Sequence, residues 1–201
     1  MIIVGLDMAT KVGYAILENG TLLDRGLVRA DAKDKNIAQC DWIEDYGFFV
    51  EAKSIARNIM AAIPKDFDFV YIEQTNQGIN RTTQKQLEFI HFAVLDSFDS
   101  AGQRDKVRYV NSSIWRSTLK ITMNKDDRKH NKMVKSGEAR GKITAKHLAV
   151  RWANATYDLQ LKQKDNDIAD ALAVATYGNT YEKRCKPSVT ASDIEKIFEK
   201  T

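Results

Sequence analysis

The sequence predicts an α/β domain: a mixed five-stranded sheet flanked by helices on both faces. Three observations predict it. Residues 1–29 hold three β-rich runs joined by tight connections, which is an antiparallel meander. Beyond them, helix-length amphipathic stretches alternate with short apolar runs, the pattern of crossover connections in a layered α/β domain. The chain has 201 residues, 43% hydrophobic and 29% charged, with only 2 Pro and 10 Gly. That is enough to bury one core without disulfides, and it excludes disordered and fibrous classes.

In order, Met1–Leu6 is an Ile/Val-rich run ending near Asp7. Gly13–Leu17 and Thr21–Arg29 flank Asn19-Gly20, a strong two-residue hairpin turn. From Ile37 to Ile63, Trp42, Ile43, Tyr46, Phe49, Val50, Ala56, Ile59, Met60 and Ile63 recur at helical spacing, with a break allowed at Gly47 and a stop at Pro64. Phe67–Ile72 is a fourth strand ending at Glu73. A helix over Thr83–Phe98 turns Leu87, Ile90, Val94 and Leu95 inward. Lys106–Val110 is the fifth strand, after which Asn111 or Ser112 caps a short helix through Trp115 to Leu119. Met123–Gly141 lacks apolar periodicity and reads as a mobile basic arm. Helical spacing resumes over Ile143–Trp152 and again from about Asp165, the expected N-cap, to Tyr177. The expected domain covers 1–182, with the arm at about 120–142. A break at Lys183–Pro187 leaves a tail, 183–201, with a small helix at Ser192–Lys200.

No apolar run approaches the roughly 18 residues needed to span a bilayer, so no membrane partner is expected. Asp7 interrupts the apolar start and no basic region precedes it, unlike a signal peptide. Cys40 and Cys185 lie far apart, which suits a reducing compartment, and three scattered His do not make a zinc site. Net charge is +4, yet nine Lys or Arg against three acids lie between Lys120 and Lys146, so this segment holds more than all of the excess. A local basic stretch on a balanced protein suggests a polyanion partner.

Four acids stand out by position. Asp7 ends the apolar run IIVGLD and Glu73 ends FVYIE, while Asp167 and Asp170 share one face of a helix otherwise small and apolar. Taken singly, Asp7 could close a turn, Glu73 could be a loop acid, and Asp167 could serve the helix dipole. Asp170, one turn inside an Ala-rich helix, is costly to desolvate without a positive partner. If the four converge, their repulsion calls for a cation, and an all-oxygen donor set suits Mg²⁺ or Mn²⁺. Two such ions favour hydrolysis of a phosphodiester.

IIVGLDMATKVGYAIL, VYIEQ and NDIADALAVA, in this order, resemble the RuvC family of Holliday junction resolvases, and YVNSSIWRSTL resembles a segment of phage-borne relatives. The resemblance runs from Met1 to about Tyr177. It implies an RNase H-like fold and Asp7, Glu73, Asp167 and Asp170 as catalytic metal ligands for Mg²⁺, with Mn²⁺ as substitute and two ions per site. It also implies a homodimer acting on opposing strands of a four-way DNA junction, in the cytoplasm of a bacterial or phage-infected cell. Products would carry 5′-phosphate and 3′-hydroxyl ends. Where several family members place a junction-wedging aromatic residue, this sequence has Asn76.

Lys129, Lys132, Lys135, Arg140, Lys142 and Lys146 are the candidates for phosphate contacts, with Arg81 and Arg116 as weaker ones. Lys142 or Lys146 could approach the cleaved phosphate. Trp42, Trp115 and Trp152 sit at helical spacing and are assigned to the core rather than to base stacking. Gly137–Thr144 is one residue short of a phosphate-binding P-loop and has Ile143 in place of its Ser or Thr. Other readings remain: a nuclease for RNA–DNA hybrid or structured RNA, an actin-like ATPase for which the chain is too short, and a non-catalytic junction-binding module.

Overall fold

The computed structural model describes residues 1–31, 46–74 and 80–185. Strands β1 (Ile2–Asp7), β2 (Val12–Glu18) and β3 (Thr21–Val28) form the expected meander. Asn19 and Gly20, which join β2 to β3, both take positive φ, 54° and 97°. The two-residue turn requires that backbone and these residues tolerate it. Helix α1 (Tyr46–Ala62) crosses to β4 (Phe69–Glu73), parallel to β1, and α2 (Arg81–Ser100) crosses to β5 (Val107–Val110), parallel to β4. The five strands lie in the order β3-β2-β1-β4-β5.

Side-chain alternation sorts the two faces. Val4, Leu6, Val70 and Ile72 pack with Ile55, Ile59, Ile90 and Phe98 of α1 and α2. Ile3, Tyr71 and Leu17 pack with the opposite layer, which contains α3 (Ser112–Thr118), α5 (Ala145–Tyr157) and α6 (Asn166–Cys185). Helix α6 lies directly on the strands because small residues meet there: Ala171 and Ala175, both fully buried, lie against Gly5. A Cβ at Gly5 would strike the backbone of Ala171 and Ala175, and one at Gly13 the carbonyl of Asp167. These two glycines set how closely α6 approaches.

Several expectations are corrected. Met123–Gly141 is not an unstructured arm: it contains helix α4 (Lys125–Ser136). The Asn124 side chain accepts from the Asp127 N–H (2.8 Å), and Asp127 accepts from the Asn124 N–H (3.0 Å). At the other end Gly137 supplies a left-handed terminus, φ 85°. Asp165 does not cap α6. It closes a 3-10 turn, Gln163–Asp165, accepting from the Lys162 N–H at 2.9 Å. Helix α6 continues past Tyr177 to Cys185, inside the expected break at Lys183–Pro187. Packing carries it past Tyr177: Gly178 lies against the Tyr71 ring, and the Tyr71 hydroxyl donates to Glu182 at 2.6 Å. Phe49 (44% exposed) and Leu95 (37%) are surface residues rather than core. Trp115 is fully buried and Trp152 packs edge-on against Tyr157, as core residues should. Trp42, Asn76, the Ile37–Ile43 start of the long helix and the tail helix at 192–200 lie outside the described residues.

Candidate active site

The period of two that fills the core also aims the acids. On β1, Ile3 and Gly5 face α6, so Asp7 does too; on β4, Tyr71 faces α6, so Glu73 follows. The strands are adjacent and parallel with Leu6 opposite Ile72, which places Asp7 and Glu73 side by side at their C-terminal ends. The first turns of α6 lie over that edge, with the Asp167 carbonyl against Gly13, opposite Asp7 on the neighbouring strand. Asp167 and Asp170, three residues apart, share the helix face above it.

The electrostatics follow from this proximity. Burial, then the carboxylates of Asp170, Glu73 and Asp167, push Asp7 well above the ordinary carboxylate range against the pull of Lys146. Burial and Asp170 raise Glu73 to about 7, opposed by Arg116, by the Trp115 indole and by Lys146. That indole N–H makes no hydrogen bond of normal geometry, and Glu73 Oε2 and Asp170 Oδ1 are also buried without one. Asp170, 7% exposed, is raised to about 6 by burial, with Arg116 and Lys146 restraining it.

Two cations therefore belong to the cluster. Arg116 Nη2 lies 3.6 Å from Asp170, with its guanidinium stacked 4.5 Å over the Trp115 ring. Lys146, on the first turn of α5, lies 3.9 Å from Asp167 and is 59% exposed. Asn166 donates to Asp167 as well. Among the described residues, no three His, Cys, Asp or Glu side chains are gathered tightly enough to hold a metal without adjustment. By chemistry the set does fit a hard divalent ion: acidic oxygens only, two of them (Glu73 Oε2 and Asp170 Oδ1) buried without a hydrogen bond.

The other basic candidates are spread out. Lys129, Lys132 and Lys135 lie exposed on α4, and Arg140 and Lys142 lie exposed between α4 and α5. Lys142 is not at the acids; of the two lysines expected near the cleaved phosphate, only Lys146 reaches them. Arg81 is exposed at the start of α2, and no ion pair among the described residues ties it to the cluster. Arg116, a weaker candidate for phosphate contact, lies against Asp170 instead, stacked on the buried Trp115. The position of Arg116 and Trp115 immediately after β5, beside β4, was the available signal.

The cluster predicts an unusual pH response. Carboxylates whose folded pKa is raised stabilise the fold fully below their unfolded values, near 4, and that contribution is lost as pH rises through about 6 and 7. The cation-free protein should therefore melt roughly 8–16 °C lower at pH 8 than at pH 5, at about 1.4 kcal/mol per pKa unit and about 2–4 °C per kcal/mol. Mn²⁺ should restore most of the loss. Calorimetric melts across this range check it; equal midpoints with and without Mn²⁺ would contradict it.

No family model matches the chain, and no curated protein matches it by sequence. Among solved structures it is similar to T. thermophilus RuvC in complex with Holliday junction substrate. That match has a TM-score of 0.60 at 14% identity and covers 92% of this chain and 96% of that one. A second Thermus thermophilus RuvC structure matches at TM-score 0.54 and 14% identity, covering 92% of this chain and 96% of the other. The chain thus has the fold of RuvC, the RNase H-like arrangement its sequence resemblance implies.

Proposed function

We propose that this RuvC-like fold serves a divalent-metal-dependent endonuclease that resolves four-way DNA junctions by phosphodiester hydrolysis. One observation carries the reading: Asp7, Glu73, Asp167 and Asp170, from three distant stretches, meet at one sheet edge beside a strongly basic segment. The neighbouring structure that holds a Holliday junction supports the choice of substrate.

In this reading the four acids hold Mg²⁺ or Mn²⁺, two ions per site, and bound metal supplies activation of water and stabilisation of the leaving oxygen. The chain's own residues do the rest. Arg116, 26% exposed and stacked on Trp115, stays with Asp170 and limits the repulsion that metal-free acids suffer. Lys146, more exposed, can turn from Asp167 to a non-bridging oxygen of the scissile phosphate. Lys129, Lys132, Lys135, Arg140 and Lys142 bind flanking phosphates.

A homodimer would set two such sites on opposing strands. Helix α2 supports self-pairing: Phe92 is 65% exposed, and Leu95 and Tyr109 border a groove of about 450 Å³.

The test offers four-way, three-way, linear and RNA–DNA hybrid substrates in parallel, with and without Mg²⁺. Preferential, Mg²⁺-dependent cleavage of the four-way junction leaving 5′-phosphates is expected. Cleavage confined to the hybrid would move the function to RNA, and binding without cleavage in either metal would leave a junction-binding module.

A further inference from the structure

Helix α4 carries its charge on one side and its fastenings on the other. At about 100° per residue, Lys125, Arg128, Lys129, Lys132 and Lys135 fall within an arc of about 120°. All five are exposed. Asp127, His130, Asn131 and Val134 occupy the opposite arc, and three of these tie the helix down. The Asp127 carboxylate, 4% exposed, accepts from Arg151 Nη2 at 3.0 and 2.9 Å. The cost of burying it is outweighed by the Asn124 backbone N–H and this guanidinium, which hold its pKa below the usual range. Asn131 donates to the Ile143 carbonyl (2.9 Å) and accepts from the Ile143 N–H (2.8 Å). His130 Nε2 lies 2.8 Å from the Gly141 carbonyl.

A twelve-residue helix with so few apolar residues has little stability alone, so its direction is set by these polar ties. They lead back to the acids. Arg151 belongs to α5, whose first turn carries Lys146 against Asp167. Ile143 immediately precedes Thr144, the N-cap of that same helix. One rigid element therefore touches both the acid cluster and the basic helix.

We propose that Asp127, Arg151 and Asn131 are positioning residues that fix the basic face of α4 as a platform for the phosphates of a duplex DNA arm leading into the acid cluster. The proposal rests on the junction-nuclease reading. It assigns a binding role to residues that touch no DNA, one of which is itself an acid.

The sign of that acid's effect separates positioning from bulk charge. Asp127→Ala makes the protein more positive by one unit, and Coulomb attraction alone would tighten DNA binding. Positioning requires the reverse. Binding of the full chain to a labelled four-way junction is measured in EDTA across a series of salt concentrations. Wild type, Asp127→Ala, the charge-neutral Asn131→Ala and a Lys129/Lys132/Lys135→Ala reference are compared. For wild type, tight binding that weakens steeply with salt is expected. Both single variants should bind about ten-fold more weakly. Their log–log salt slopes should flatten by about two, towards the triple-lysine reference, at about 0.9 for each phosphate no longer neutralised. Their Mn²⁺-induced stabilisation should match wild type, showing the acid cluster intact. Wild-type or tighter binding by both variants, at unchanged slope, would overturn the platform. Salt-independent or absent wild-type binding would overturn the nuclease reading itself. Should Asp127→Ala fail to fold, Asn131→Ala decides alone.

Discussion

Asp7→Asn is expected to lower junction cleavage by at least about a thousand-fold while leaving junction binding unchanged. The loss follows from where Asp7 sits: its carboxylate lies in the field of the other three acids and belongs to the proposed ligand set. Removing it takes away several kcal/mol of metal-derived stabilisation, and about 1.4 kcal/mol corresponds to ten-fold in rate. Binding should survive because the proposed phosphate contacts lie on α4 and around Arg140 and Lys142 rather than on β1. The substitution should also raise the melting temperature of the cation-free protein at pH 8, since an amide in that place neither repels Asp170 nor needs a counter-charge. Single-turnover cleavage, junction titration and a melt measure the three effects. Loss of binding along with cleavage, in a folded protein, would make Asp7 structural.

Gly13→Ala should be nearly as damaging, without altering any charged group. Its Cβ would run into the Asp167 carbonyl at the start of α6. The helix must then lift from the sheet, carrying Asp167 and Asp170 away from Asp7 and Glu73. Overpacking of this kind costs about 1–3 kcal/mol, a fall of roughly 5 °C or more. Cleavage should drop further than stability explains. Gly47→Ala, with open space around its Cβ position and a place in α1, serves as the control and should be neutral or slightly stabilising. A Gly13→Ala protein with wild-type melting and cleavage would mean that the close seat of α6 does not organise the acids.

What could be seen in the sequence followed from apolar patterning. The alternation in IIVGLD and FVYIE marks both the strands and the direction of their last residues, and Asn19-Gly20 marks the hairpin. Asp170 was conspicuous because a carboxylate inside an Ala-rich helix has few structural excuses. Helix α4 stayed hidden for the converse reason: it is held by Asp127–Arg151 and Asn131–Ile143 contacts, which leave no hydrophobic period. Its one local signal was the box formed by Asn124 and Asp127. The length of α6 depended on Tyr71, more than 100 residues distant, reaching Glu182. Arg116 gained its place from the parallel packing of β5 on β4, which composition does not display. Leu95 fits the helical period yet faces outward beside Phe92 and Tyr109, on the face proposed to meet a second copy.

The most direct measurement is a crystal of the protein grown with Mn²⁺, with data collected at the manganese absorption edge. An anomalous peak coordinated by Asp7 together with at least two of Glu73, Asp167 and Asp170 is predicted, with Arg116 and Lys146 outside the coordination sphere. Manganese bound elsewhere, with these four carboxylates pointing apart, would contradict the account.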